Sequence, residues 1–264
     1  MQISLKGRRA LVSGSTSGIG FATALGLARA GGHVILNGRS EDRVDEAVKR
    51  LAEIVPAASV EGISADLSTA EGSNVLVRLS GDVDILINNI GVVQFADFFE
   101  ATDDDWERLF QTNVMSGVRL SRAILPQMMD RGWGRIIFVS SESGMMVPKE
   151  AIHYGMTKTA QLTISRGLAE VAAGTNVTVN TVVPGPTRSE GLLGFLDDIA
   201  ADGGRDVKEL EREFVSDFRP SSLIKRIADV EEVANMIVYL VSPQASATTG
   251  AALRVDGSIV QSIG

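Results

Sequence analysis

Tyr154 and Lys158 stand four residues apart in Tyr-Gly-Met-Thr-Lys, at the opening of a helical pattern that runs from Ile152 to Ala172. A helix places residues at this spacing on one face. A phenol ionises at a pH of about 10 in water, and a neighbouring ammonium stabilises the phenolate, which brings it into range as a general acid or base. Tyr–Lys pairs of this kind also occur on ordinary helix surfaces, so the pair acquires meaning only from its context. Thirteen residues before Tyr154 lies Ser141, at the carboxyl end of the apolar run Ile136–Val139, where a hydroxyl could hydrogen-bond a reacting oxygen. Ser140 and Ser143 compete for that role, and a serine after a strand also reads as a turn residue or helix cap.

A second group of residues suits an anion. The run Ala10–Val12 leads into Gly14-Ser15-Thr16-Ser17-Gly18-Ile19-Gly20 and then a helical segment, Phe21–Ala30, closed by Gly31-Gly32. Glycine permits positive φ and close backbone approach, and the free N–H groups and dipole of a helix start favour a pyrophosphate. The spacing is Gly-x-x-x-Gly-x-Gly, not the commoner Gly-x-Gly-x-x-Gly. The second strand ends at Asn37-Gly38-Arg39-Ser40, without the acid that would bind an unphosphorylated ribose diol. Arg39 could pair with a 2′-phosphate through its fork of donors, so NADP(H) is preferred, with NAD(H) as the alternative.

The elements that must position these residues alternate. Short β-branched runs at Ala10–Val12, Val34–Leu36, Val60–Ile63, Ile85–Ile87, Ile136–Val139, Val177–Val183 and Ala251–Val255 are separated by amphipathic patterns such as Val44, Ala47, Val48 and Leu51. This predicts an α/β fold: one doubly wound Rossmann-type domain over residues 1–264, with a seven-stranded, mostly parallel sheet and helices on both faces. Ligands of such sheets bind beyond the carboxyl ends of the strands. From Arg188 to about residue 222 the rhythm breaks, and the acidic segment there reads as a substrate lid or as a solvated surface insertion. The 264 residues and 44% apolar content are enough for a sizeable core. A formal charge of −8 argues against nucleic acid and anionic membranes as partners. No run approaches the length of a membrane helix, and the short apolar run after Arg8 and Arg9 is no signal peptide. The chain has no cysteine, which suits the cytoplasm, and its two histidines, His33 and His153, form no metal cluster, so no metal is expected.

Five signals fall in an order that closely resembles the short-chain dehydrogenase/reductase family: Gly14-x-x-x-Gly18-Ile19-Gly20, Asp66-Leu67, Asn88-Asn89-Ile90-Gly91, Ser141 with Tyr154-x-x-x-Lys158, and Pro184-Gly185. They cover nearly the whole length. The resemblance implies that Tyr154 is the general acid or base, that Lys158 lowers its pKa and holds the nicotinamide ribose, and that Ser141 orients the substrate oxygen. Asn113, within an expected long helix Asp105–Met128, matches the residue that supports a water-linked proton relay through Lys158. Asp66 and Leu67 match adenine-side contacts, and Asn89 and Gly91 line the groove beside the first strand. Gly14, Ser15, Ser17, Gly18, Ile19 and Gly20 bind phosphate, while Pro184, Gly185, Thr187 and Ser189 approach the carboxamide, the last two being interchangeable if the loop shifts by two. Ile90, where the family usually has Ala, is expected to crowd the sheet while leaving the backbone contacts possible. The family also implies a homotetramer or dimer built on the helices Asp105–Met128 and Ile152–Ala172.

The function expected is NADP(H)-dependent reversible hydride transfer to or from a carbonyl or secondary alcohol of a small metabolite. One alternative is a 3-oxoacyl-carrier-protein reductase, for whose acidic carrier Arg131 and Arg135 are the basic residues placed near the expected mouth. The other is a non-catalytic NADP(H)-sensing protein, against which the complete set Asn113, Ser141, Tyr154 and Lys158 argues. Asp103-Asp104-Asp105 looks like a metal site, but Thr102 three residues before Asp105 reads as helix capping. His153 is assigned to packing or solvent, and Met145, Met146 and Val147 to a pocket wall or to core packing.

Overall fold

Leu11 and Val12 are adjacent in the chain and belong to different cores, because successive side chains of a strand point to opposite faces. The same alternation separates Leu36 from Ile35, Ile87 from Leu86 and Ile137 from Ile136. The apolar runs are therefore continuous because both faces of the sheet are covered. The computed structural model describes residues 2–203 and 205–263. Among these, the strands are β1 (Arg9–Val12), β2 (His33–Gly38), β3 (Ser59–Ser64), β4 (Ile85–Asn88), β5 (Gly134–Val139), β6 (Val177–Pro184) and β7 (Ala252–Val255). They form one sheet in the order β3-β2-β1-β4-β5-β6-β7, and every pairing is parallel, where the sequence predicted mostly parallel.

Helices α1 (Gly18–Arg29), α2 (Glu41–Ile54) and α9 (Val230–Leu240) bury their apolar residues on one face, and α3 (Ala70–Ser80), α5 (Ser116–Asp130) and α6 (Ile152–Val171) on the other. β1 lies between β2 and β4, so the chain winds outward in both directions from that point. The resulting crevice at the carboxyl edge is where a parallel sheet takes ligands.

The helix expected over Asp105–Met128 is not uniform. Helix α4 (Asp103–Leu109) begins with a reciprocal capping box between Thr102 and Asp105, which accounts for the acidic triplet. A π-helical turn follows at Phe110–Met115, and α5 resumes at Ser116. The wider turn places the buried Asn113 amide against the backbone of Val92, on which it makes two hydrogen bonds. Beyond β6 the segment expected as a lid or a surface insertion is helical, with α7 (Glu190–Gly203), α8 (Val207–Glu213) and a π turn at Phe214–Phe218 packed on a small core of Leu196, Ala200, Leu210, Val215 and Ile227.

Arg131 and Arg135 do not stand near the mouth. Arg131 bonds the Val83 carbonyl before β4, and Arg135, early in β5, bonds that of Asn176 before β6. Both lie at the amino edge, where the connection from α5 must return to start the next parallel strand.

Asn37 ties the carboxyl edge together. It is 1% exposed, accepts from Gly14 N at 3.3 Å, and donates to the carbonyls of Ile63 at 3.1 Å and Ala65 at 3.3 Å. One side chain thus joins the segments after β1 and β3. Asn37→Ala leaves these groups without partners and is expected to lower the unfolding free energy by about 2 kcal/mol or more, read from the urea midpoint.

Candidate active site

The carboxyl ends of β1, β4, β5 and β6 frame a cleft of about 810 Å³. One wall is the glycine loop. Gly14 and Gly18 hold φ at 60° and 56°, which a β-carbon would strain. Gly20 answers a demand for space: a β-carbon there would stand 2.4 Å from the Gly14 carbonyl oxygen and 2.6 Å from Asn89 Nδ2. Ser17 makes no side-chain cap to α1, and Ser17, Gly18, Ile19 and Gly20 all line the cleft. Uncapped N–H groups at the positive end of a helix dipole suit a pyrophosphate, so the loop fits a dinucleotide by its own geometry. Ser15 is fully buried, its hydroxyl donating to the Val12 carbonyl at 2.7 Å and accepting from Asn37 N at 2.9 Å.

The ends of β2, β3 and β4 continue this edge. Arg39 is exposed just after β2, and its guanidinium has no hydrogen-bond or ion-pair partner among the described residues. Asp66 is exposed after β3, with Oδ1 accepting from Ser68 N at 3.0 Å, whereas Leu67 is buried. Asn89 donates to the carbonyls of Ser13 at 3.0 Å and Gly14 at 2.8 Å, clamping the glycine loop to β4. Ile90 does not disrupt this clamp, because its side chain packs into the core cluster beneath. Gly91 faces the lysine: a β-carbon there would lie 3.1 Å from Lys158 Nζ.

Tyr154 and Lys158 lie one turn apart near the start of α6 and meet Ser141 at the end of β5 in the same cleft. The Ser141 hydroxyl lines the same cleft as Tyr154, accepts from Ser143 N at 3.1 Å, and donates to Glu142 Oε2 at 2.5 Å. The competing Ser140 donates to the Lys158 carbonyl at 2.8 Å, which commits it to anchoring α6. Burial, and then the Glu142 carboxylate, push the Tyr154 phenol above its ordinary range; the Ser141 hydroxyl opposes them. Lys158 is 4% exposed, and burial lowers its ammonium to about 8 against the pull of Glu142. Its Nζ donates to the Val139 carbonyl at 3.0 Å and to Gln161 Oε1 at 3.3 Å.

Asn113 lies behind this group. Its amide donates to Thr157 Oγ1 at 3.0 Å, and its carbonyl accepts from Gln161 Nε2 at 2.6 Å. Across the cleft, Pro184 and Gly185 end β6, and Thr187 donates to the Gly185 carbonyl at 2.9 Å. Ser189 caps α7 by accepting from Leu192 N at 3.3 Å. Leu192, Phe214 and Arg219, from the segment after β6, line that side. The loop residues Met145, Met146 and Val147 are exposed and do not line the cleft, which corrects their assignment to a pocket wall or core. His153 is buried against Trp106, the packing alternative, and burial holds its imidazole below its ordinary range.

Residues 8–194 match the short chain dehydrogenase family. The chain is 46% identical to YvaG of Bacillus subtilis (strain 168), named an uncharacterized oxidoreductase, over all of both chains. It is 31% identical to the 3-oxoacyl-[acyl-carrier-protein] reductase FabG of Aquifex aeolicus (strain VF5), covering 98% of this chain and 100% of that one. The crystal structure of L-sorbose reductase from Gluconobacter frateurii, complexed with NADPH and L-sorbose, superposes with a TM-score of 0.94 at 32% identity over all of both chains.

The sequence reading missed three residues of the cleft region: Glu142, Gln161 and Arg219. Glu142 carried a signal, an acid directly after the serine, but its partner Arg219 is far along the chain. Gln161 lies one turn beyond Lys158 on the same helix. The chain has two tyrosines, so phenolate absorbance can be followed directly. In an alkaline titration of the cofactor-free protein, the absorbance step removed by Tyr154→Phe is expected at higher pH than that of free tyrosine.

Proposed function

The chain belongs to the short-chain dehydrogenase family, and on that premise we propose that it is an NADP(H)-dependent oxidoreductase acting reversibly on a carbonyl or secondary alcohol of a small metabolite. The observation that carries this reading is the convergence of Ser141, Tyr154 and Lys158 in one cleft beside an uncapped helix start that fits a dinucleotide pyrophosphate. The bound nicotinamide would supply or accept the hydride. Tyr154 holds the proton delivered to the carbonyl oxygen in reduction, and its raised phenol keeps that proton at neutral pH. Lys158 places a cation beside Tyr154, with Nζ 5.7 Å from the ring centre, and would hold the nicotinamide ribose. Ser141 orients the reacting oxygen, and Asn113 braces the Val92 backbone beneath the cleft. Gly14, Ser15, Ser17, Gly18, Ile19 and Gly20 would cradle the phosphates, Asp66 and Leu67 would contact the adenine side, Asn89 and Gly91 would line the groove beside β1, and Pro184, Gly185, Thr187 and Ser189 would approach the carboxamide. The segment 188–222 acts as a lid that excludes water.

The unpartnered Arg39, with no acid at the end of β2, supports NADP(H) over NAD(H), as does the NADPH in the L-sorbose reductase structure. For the substrate, a sugar-like ketone or polyol suits a cleft with Ser141, Glu142 and Arg219 in its wall, and the L-sorbose of that neighbour supports the same class. An acidic carrier protein finds no support from Arg131 and Arg135, which lie at the opposite edge of the sheet. The absence of cysteine suits the cytoplasm. Self-association would use the apolar outer faces of α5 and α6, where Leu125, Met129, Ile164 and Leu168 border a depression of about 460 Å³.

In a panel of ketoses and polyols assayed with NADPH and NADH, Tyr154→Phe is expected to retain NADPH binding by fluorescence titration while kcat falls on the order of 10²–10⁴-fold. Unchanged turnover would rule out the mechanism. Removing a charge-assisted contact in Arg39→Ala is expected to raise KM for NADPH on the order of tenfold and leave that for NADH unchanged.

A further inference from the structure

The residue after Ser141 is a buried acid whose partner comes from the segment after β6. Glu142 is 4% exposed and lines the cleft; its Oε1 accepts from Arg219 Nε at 2.8 Å and its Oε2 from the Ser141 hydroxyl at 2.5 Å. Arg219 lines the cleft as well. Its Nη1 donates to the Phe218 carbonyl at 2.7 Å, and its Nη2 makes no hydrogen bond or ion pair with a described residue. With 15% and 5% of their side chains exposed, the arginine and the acid are largely withdrawn from water. Charges so placed are tolerated as a pair far better than singly.

What this pair presents to a ligand is neutral overall and has both polarities. The guanidinium keeps unused N–H donors, and each carboxylate oxygen has room for a further hydrogen bond. A hydroxyl group answers both, because it donates and accepts. A carboxylate on the ligand only accepts, and it meets Glu142 as a like charge. The other charged side chains that line the cleft, Lys158 and Glu190, are of opposite sign and leave that balance unchanged. Lys158 is engaged by the Val139 carbonyl and Gln161, and the exposed Glu190 pairs with Arg43 at 3.6 Å. The pair also stands close to the reacting centre. Glu142 directly follows Ser141, and beyond the effect of burial the Tyr154 phenol is raised by Glu142 and lowered by Arg219.

We propose that Glu142 and Arg219 form a neutral hydroxyl-recognising pair that sets substrate choice, so that the site takes an uncharged polyhydroxy ketone and discriminates against the corresponding keto acid. This rests on the dehydrogenase reading above and narrows it. The pair takes no part in hydride or proton transfer; it selects which molecule is held in front of Ser141 and Tyr154, by a hydroxyl near the reacting carbon. Either charge alone would select differently. An unpaired Arg219 attracts an acid, and an unpaired Glu142 repels it more strongly than the pair does.

The test uses L-sorbose and two acids with the same chain and the same ketone, 2-keto-L-gulonate and 5-keto-D-gluconate, in which a carboxylate replaces the hydroxymethyl group beside the ketone or at the far end. Reduction with NADPH is read as the ratio of kcat/KM for the sugar to that for each acid, so an effect on the shared chemical step cancels. Where an acid is too slow to follow, its inhibition constant against L-sorbose takes the place of its kcat/KM. The ratio in the wild type is expected to be on the order of 10 or more. In Glu142→Gln, which leaves Arg219 unpaired, it should fall on the order of tenfold, and in Arg219→Gln, which leaves Glu142 unpaired, it should rise. In the double variant the charges balance again, and the ratio returns toward the wild-type value. A damaged fold or a displaced Ser141 lowers all the activities together and does not move the ratio in opposite directions. A wild-type preference for either acid, or ratios within about twofold of wild type in both single variants, overturns the proposal. Reduction of simple ketones with no turnover of L-sorbose or D-fructose also overturns it, while loss of that activity in Tyr154→Phe leaves the dehydrogenase reading standing. No carbonyl turnover at all, or retained turnover in Tyr154→Phe, overturns that reading itself and the proposal with it.

Discussion

In a parallel sheet every strand ends at the same edge, and the structure of this protein follows from that constraint. Residues far apart in the chain, from the glycine loop after β1 to Pro184 at the end of β6, are delivered to one crevice because all the strands point there. The price is that each crossover must return to the amino edge, which is where Arg131 and Arg135 are found. A sheet buried on both faces cannot bend to adjust a site, so fine placement falls to the segments just beyond the strands. Asn37 and Asn89 do this work with side-chain amides that bond loop backbone directly.

The centre of the cleft is electrostatically crowded. A buried ammonium, a phenol and a carboxylate share a small volume, and the Lys158 and Tyr154 groups move in opposite directions for the same reason, since burial disfavours the charged form of each. Lys158 is kept in place by the Val139 carbonyl and Gln161, and Glu142 by Ser141 and Arg219. The segment after β6 therefore supplies one of the charges of the site.

The irregular elements stand beside the chemistry. The π turn at Phe110–Met115 interrupts what the periodicity predicts as one helix, and it carries Asn113. Helical periodicity is nearly the same with or without one wider turn, so the sequence pattern has no means of registering it. The same applies to Ser140 and Ser141, which read alike as residues after a strand. Only the fold separates them, since one points down into α6 and the other into the cleft.

From the sequence by itself came the alternation of strands and helices, the glycine loop in register between a strand and a helix, and the pairing of Tyr154 with Lys158 on one helix face. Each is set by local spacing, which the chain carries wherever it folds. Tertiary structure alone decided which partners those groups find: Glu142 with Arg219, Gln161 with Asn113, and the two arginines at the far edge. Such contacts join positions that are far apart in sequence or turn on the direction of a single side chain, and they depend on which edge of the sheet each segment reaches. No periodicity or short motif encodes that.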